Sequence, residues 1–154
     1  MATTTPIPVI LCGKTERIGE GVIRELQPEY EVIEFIMTPE AGITNIPLLL
    51  SGSAPASSSS QLGSKNFSRL PGAIILGAGY DDEAAERMRK AVAEAEAAGT
   101  KVKKVPWLRP DTSKPAPPLG PEYGKALVVR IKELMADLQK QGKLDGGEDG
   151  VYWY

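Results

Sequence analysis

The chain has 154 residues, 42% of them hydrophobic, and a net charge of −2 from 18 basic and 20 acidic side chains. This is the usage of a single globular domain large enough to bury a core without staples, and its even charge makes no case for nucleic acid or an anionic membrane as partner. The lone cysteine, Cys12, excludes an internal disulfide, and the absence of histidine removes the Ser-His-Asp arrangement, the commonest general base and every histidine metal site. Met1–Pro8 is Thr/Pro-rich, with neither a basic region nor a long apolar run. No signal peptide is expected there, and no apolar stretch is long enough to span a membrane, so the expected location is cytoplasmic.

Val9-Ile10-Leu11-Cys12 is an apolar run between Pro8 and Gly13, the pattern of a strand buried on both faces. From Glu16 the period becomes helical through Ile18, Val22, Ile23 and Leu26, and Pro28 stops it. Glu31–Ile36 is β-branched and aromatic, which predicts a second strand. Thr38-Pro39-Glu40 opens a helix with a capping hydroxyl, a proline at the first position and an acid. Gly42 and Pro47 predict that this helix is short or broken, with Asn45 capping a second turn. Residues 51–71, with four serines at 57–60, read as a mobile flap or an exposed insertion.

Ala73–Leu76 predicts a third strand, followed by Gly77-Ala78-Gly79. Asp81, Asp82 and Glu83 then open an alanine-rich helix that Gly99 closes. Val102–Leu108 is a fourth, weaker strand interrupted by Pro106, and 109–121 is a proline-rich loop. The stripe Leu127, Ile131, Leu134 and Leu138 marks the last helix, from Pro121 to Gly142. The aromatic tail Tyr152-Trp153-Tyr154 is expected to pack on its own domain or on a second subunit. The alternation predicts one three-layer α/β domain over 1–154: a four-stranded parallel sheet in the order 2-1-3-4, a Rossmann-like half fold. Such a sheet leaves an exposed edge strand, so a homo-oligomer is expected.

In sheets of this kind ligands bind beyond the carboxyl ends of the strands, where the strand order reverses. Here that point lies between the first and third strands. Gly13, Lys14, Thr15, Arg17 and Gly19 stand at the first turn, and Gly77, Gly79 and Tyr80 at the third. Glycines admit close backbone approach, a helix start offers free N–H groups to an anion, and Lys14 and Arg17 add charge of the right sign. The same residue types also serve an ordinary turn and a solvated surface. Trp107 and Arg109 follow the fourth strand on the same edge, where they suit a ring and an anionic group, or a capped sheet edge with Arg109 paired to Asp111.

The run Gly13-Lys14-Thr15-Glu16-Arg17-Ile18-Gly19 resembles the first turn of atypical short-chain dehydrogenase/reductase and NmrA-like proteins, which reads Gly-x-x-Gly-x-x-Gly. Gly13 and Gly19 match the first and third glycines. Glu16 stands at the middle one, where a carboxylate would meet pyrophosphate charge. The acid that binds a ribose in the NAD-using members is absent after Ile36, so the cofactor is left open: if a nucleotide binds, Lys14 and Arg17 suit the 2′-phosphate of NADP better than a free ribose. The Tyr-x-x-x-Lys pair of short-chain reductases is missing, since Tyr123-Gly124-Lys125 has a different spacing. The whole chain is also similar to short uncharacterised fungal Rossmann-like proteins, a likeness that implies the fold and no function.

Two further constellations have plain explanations. Tyr80-Asp81-Asp82-Glu83 could hold a metal, but an N-cap followed by acids at a helix start accounts for it. Cys12 lacks a histidine base and reads as a small buried hydrophobe. The leading expectation is a ligand-binding domain holding a nucleotide or small anion at the carboxyl edge. The alternatives are a small NADP-dependent reductase using Tyr80 or an acid as proton donor, and a non-enzymatic homodimer that displays its Ser-rich loop or aromatic tail.

Overall fold

A strand apolar on both sides must sit inside a sheet with helices on each face, and this chain builds its sheet around such a strand. In the computed structural model, which describes residues 5–154, β1 (Ile7–Cys12) lies between β2 (Tyr30–Ile36) and β3 (Ala73–Leu76). β4 (Trp107–Arg109) and β5 (Val151–Trp153) complete the order β2-β1-β3-β4-β5, every neighbouring pair parallel. Residues 1–4 of the Thr/Pro-rich start, where no signal peptide is expected, lie outside the described residues. Among the described residues no helix is long and apolar enough to cross a membrane.

Helices α1 (Glu16–Leu26) and α4 (Pro121–Lys140) cover one face, α2 (Pro39–Leu50) and α3 (Asp82–Ala97) the other. Side chains alternate across a strand, so β1 feeds both cores. Val9 and Leu11 join Val32, Phe35 and Ile75 beneath α1 and α4. Ile10 and Cys12 join Ile36, Ile74 and Leu76 beneath α2 and α3.

The sheet has five strands where four are expected, and the order 2-1-3-4-5 is that of the flavodoxin-like doubly wound sheet. The fifth strand is the aromatic tail. Three residues are too few to show a period of their own, so their order comes from pairing. Trp107 N–H donates to the Gly150 carbonyl and Tyr154 N–H to the Arg109 carbonyl, both at 2.9 Å. Tyr154 is buried in its own domain. β4 is shorter than the predicted 102–108 because Pro106 has no N–H to give, and only Trp107 and Leu108 pair with β3.

Helix α2 also departs from expectation: it runs unbroken through Gly42 and Pro47. Proline removes one N–H, and the burial of Ile46, Leu49 and Leu50 outweighs that loss. Thr38 Oγ1 accepts from Ala41 N–H at 3.1 Å, as the capping pattern predicts. Asn45 caps nothing. It is buried inside the helix and its Nδ2 donates to the Ser57 carbonyl at 2.9 Å.

That contact belongs to a strap, residues 57–65, which the sequence reads as flap or insertion. The strap is fastened along the outer edge of β2. Register slips between Val9/Val32 and Ile10/Glu34, leaving Ile33 as a bulge. Ser64 N–H donates to the Val32 carbonyl at 2.8 Å and Lys65 N–H to the Ile33 carbonyl at 3.0 Å, satisfying edge carbonyls a second chain could otherwise pair with. Gly63, at φ +100°, brings its backbone so near the bulge that a Cβ would stand 3.0 Å from the Ile33 carbonyl oxygen. Glu34 is fully buried, and Lys65 Nζ bonds one carboxylate oxygen while Ser58 Oγ donates to the other at 2.7 Å. Lys65 adopts φ +59°, a left-handed conformation a side-chain-bearing residue takes at some cost.

Removing Lys65 would leave Glu34 buried and half-partnered. Lys65→Met is expected to cost about 3 kcal/mol in urea denaturation, and Glu34→Leu combined with Lys65→Met is expected to cost less than the single change. Equal stability of wild type and Lys65→Met would show that the strap is not held through this pair.

Candidate functional site

The sheet order reverses at β1, so the loops after β1 and β3 must part and leave a crevice between them. Two bonds set its floor: Gly13 N–H donates to the Ile36 carbonyl at 2.9 Å, and Gly77 N–H to the Cys12 carbonyl at 2.8 Å. The Phe35 ring lies under the first turn. A Cβ on Gly19 would stand 2.5 Å from Phe35 Cζ, and one on Gly13 would stand 3.0 Å from the same ring. The spacing of these glycines is therefore set by an aromatic side chain of β2, through packing.

Above this floor is a cavity of about 180 Å³ between α1 and α4, walled chiefly by Ile18, Val22, Phe35, Leu127 and Tyr154. An outer groove of about 710 Å³ adjoins it, with Thr15, Ile18 and Leu119 lining both. Arg17, Arg24 and Lys125 border the groove against Glu20 and Glu25. Leu119, which is 75% exposed, stands at the rim. The two helices that begin here are the two without side-chain caps: Thr15 before α1 makes no capping bond, and Gly120 before α4 has no side chain to make one. On the other face Thr38 caps α2 and Asp81 caps α3, its Oδ1 accepting from Ala84 N–H at 2.8 Å. Glu16, the acid at the middle-glycine position, does not line the cavity, and its Oε2 accepts from Ser60 Oγ of the strap at 2.7 Å.

Three ionisable groups around the crevice, Cys12, Tyr80 and Tyr154, are held neutral by burial. Burial pushes the Cys12 thiol far above its usual range, which removes it as a nucleophile at ordinary pH. Tyr80 is buried, its hydroxyl donating to the Ile36 carbonyl at 2.8 Å and lying 3.2 Å from the Gly13 carbonyl, and desolvation raises its pKa. Lys14 Nζ sits 4.7 Å from the centre of that ring. Tyr154 hydroxyl donates to the Leu76 carbonyl at 2.6 Å, with its pKa raised by burial. These phenols tie the ends of β1, β2 and β3 together. The arrangement can enclose a small molecule, and Cys12, Tyr80 and Tyr154 are not free to take a proton from it.

Of the predicted residues, Gly13, Lys14, Thr15, Gly19, Gly77 and Gly79 meet at the cavity, and Arg17 borders the outer groove. Tyr80 lies beneath. Trp107 does not reach the crevice: odd positions of β4 face α2 and α3, and its ring is buried there. Arg109 points to the same side. It pairs with Asp82 at 2.7 Å, where the sequence suggests Asp111, and its guanidinium lies 4.9 Å from the centre of the Trp153 ring. Phe35, Leu119 and Tyr154 are the site residues that sequence reading misses. Phe35 had one visible signal, an aromatic at the penultimate position of a strand that neighbours a glycine turn.

These observations define a five-stranded parallel α/β domain with a ligand-sized cavity at its strand-order reversal. The chain belongs to a fungal protein family: over 144 residues, 92% of this chain, it is 37% identical to Kojic acid related protein 6 of Aspergillus oryzae (strain ATCC 42149 / RIB 40), covering 84% of that protein. No family model matches the chain, so the likeness of the first turn to short-chain reductases rests on those seven residues. No solved structure matches it either.

If Gly19 serves packing, Gly19→Ala is expected to lose about 1–3 kcal/mol in urea denaturation, partly restored by Phe35→Leu. Unchanged stability would return the glycine to a ligand-facing role.

Proposed function

We propose that this chain is a small-molecule-binding domain that holds a small anionic ligand in the crevice between α1 and α4. One observation carries the reading: the two uncapped helix starts border one groove, while the helix starts on the other face are capped by their own side chains. The first turn of a helix leaves N–H groups without intrahelical partners, and its dipole favours negative charge. Arg17, Arg24 and Lys125 outnumber the two carboxylates that border the same groove. The apolar walls exclude water and so strengthen each polar contact made there. With Cys12, Tyr80 and Tyr154 neutral and bonded or buried, the reading is of binding without proton transfer by these groups.

The test is a ¹⁵N chemical-shift titration of the full chain with inorganic phosphate, benzoate, FMN, NADPH and kojic acid, the last because it appears in the relative's name. At least one probe is expected to give saturable shifts at the amides of residues 13–19, 77–79 and 120–124. Saturable shifts confined to other parts of the chain, or none with any probe, would overturn the reading.

A further inference from the structure

Resting on that reading, we infer that the ligand is a single-ring acid, and that a dinucleotide is excluded by the chain's own serine strap. Two independent features lead there, the size of the cavity and the occupation of the neighbouring strand end.

In doubly wound sheets a dinucleotide extends from the first turn across to the end of the second strand, where its ribose is held. In this chain that place is filled. Met37, the residue after β2, gives its N–H to Ser59 Oγ at 3.0 Å. Ser60 is buried and donates to Glu16 at the start of α1, and Ser58 donates to Glu34 inside β2. The strap thus bridges β2 and α1 along the line a ribose-pyrophosphate would take. Displacing it would break these bonds and strip Glu34 of both its partners, a large penalty for a buried carboxylate.

What stays open is the cavity on the α1–α4 side. Its volume of about 180 Å³ is close to that of a dry cavity of about 150 Å³ that accepts a benzene-sized ring. Its walls are mainly apolar and include three aromatic side chains, Phe35, Tyr123 and Tyr154, against which a flat ring packs well. A ring seated there would direct one substituent past Thr15 and Leu119 into the outer groove, toward Arg17 and Lys125. A carboxylate suits that end. A bare phosphate would leave the apolar walls uncovered, and an adenine dinucleotide is several times too large.

The experiment compares benzoate, inorganic phosphate, FMN and NADPH by ¹⁵N titration, with Ile18→Phe and Leu119→Ser as variants. Benzoate is expected to shift amides of 13–19 and 120–124 saturably and to leave 57–60 unmoved. Ile18→Phe, which fills the cavity mouth, is expected to weaken benzoate by about tenfold or more. Should that variant fail to fold, Leu119→Ser alters only an exposed residue and is expected to weaken benzoate severalfold. If FMN or NADPH shifts these amides and benzoate does not, the ring inference is overturned while the ligand-binding reading stands. Phosphate binding as tightly as benzoate would likewise overturn it, as would benzoate binding that neither variant changes. If no probe moves these amides, both readings fall.

Discussion

A carboxylate buried inside a sheet must find a partner or give up its charge, and Glu34 is fully buried in the edge strand of this one. The bulge at Ile33 turns it to the α2–α3 face, and nothing in the sheet itself can satisfy it. The partners come from the strap: Lys65, held in a left-handed conformation, and Ser58. Once they are in place the strap lies along β2. Ser64 and Lys65 take up its outward carbonyls, Ser59 takes the N–H beyond its end, and Ser60 reaches α1. One acidic residue in β2 thus accounts for the covered edge, for an ordered serine run and for the closed ground beside the first turn.

The crevice is built from the same contacts that hold the fold. Phe35 sets the glycines of the first turn by their closeness to its ring, and it also walls the cavity. Tyr80 and Tyr154 join strand ends through their hydroxyls, on opposite faces of the sheet. A site of this kind is rigid because its walls are core. The parts free to vary are at the rim, around Leu119 and the loop before α4, where a side chain can change without disturbing either core.

Periodicity made the parallel sheet and its four helices legible, because runs such as Val9–Cys12 and the stripe of α4 are long enough to show a pattern. It failed where order depends on distant partners. Val151–Trp153 becomes a strand only against β4, and Pro47 is tolerated only because α2 buries three large residues around it. The serines at 57–60 read as mobile because their composition is that of a solvated segment; the carboxylates that fix two of them lie 24 and 44 residues away. At the site, the turn residues were visible as a glycine pattern, but the reason for that pattern was a ring on the next strand. Trp107 was read as following the fourth strand, but it opens β4 and its ring packs beneath α2 and α3; a three-residue strand offers no alternation from which to read its side.

The two tryptophans stand in unlike surroundings, and this gives the molecule a built-in optical contrast. Trp107 is sealed in the core under α3, while Trp153 lies half in solvent beside the Arg109 guanidinium. Light emitted by the first comes from an apolar medium and reports on the inner sheet. Emission from the second comes from a wet, cationic neighbourhood and reports on whether the outermost strand is docked. An added quencher reaches one ring and not the other, so peeling of the sheet edge and collapse of the core separate into two signals from a single unlabelled chain.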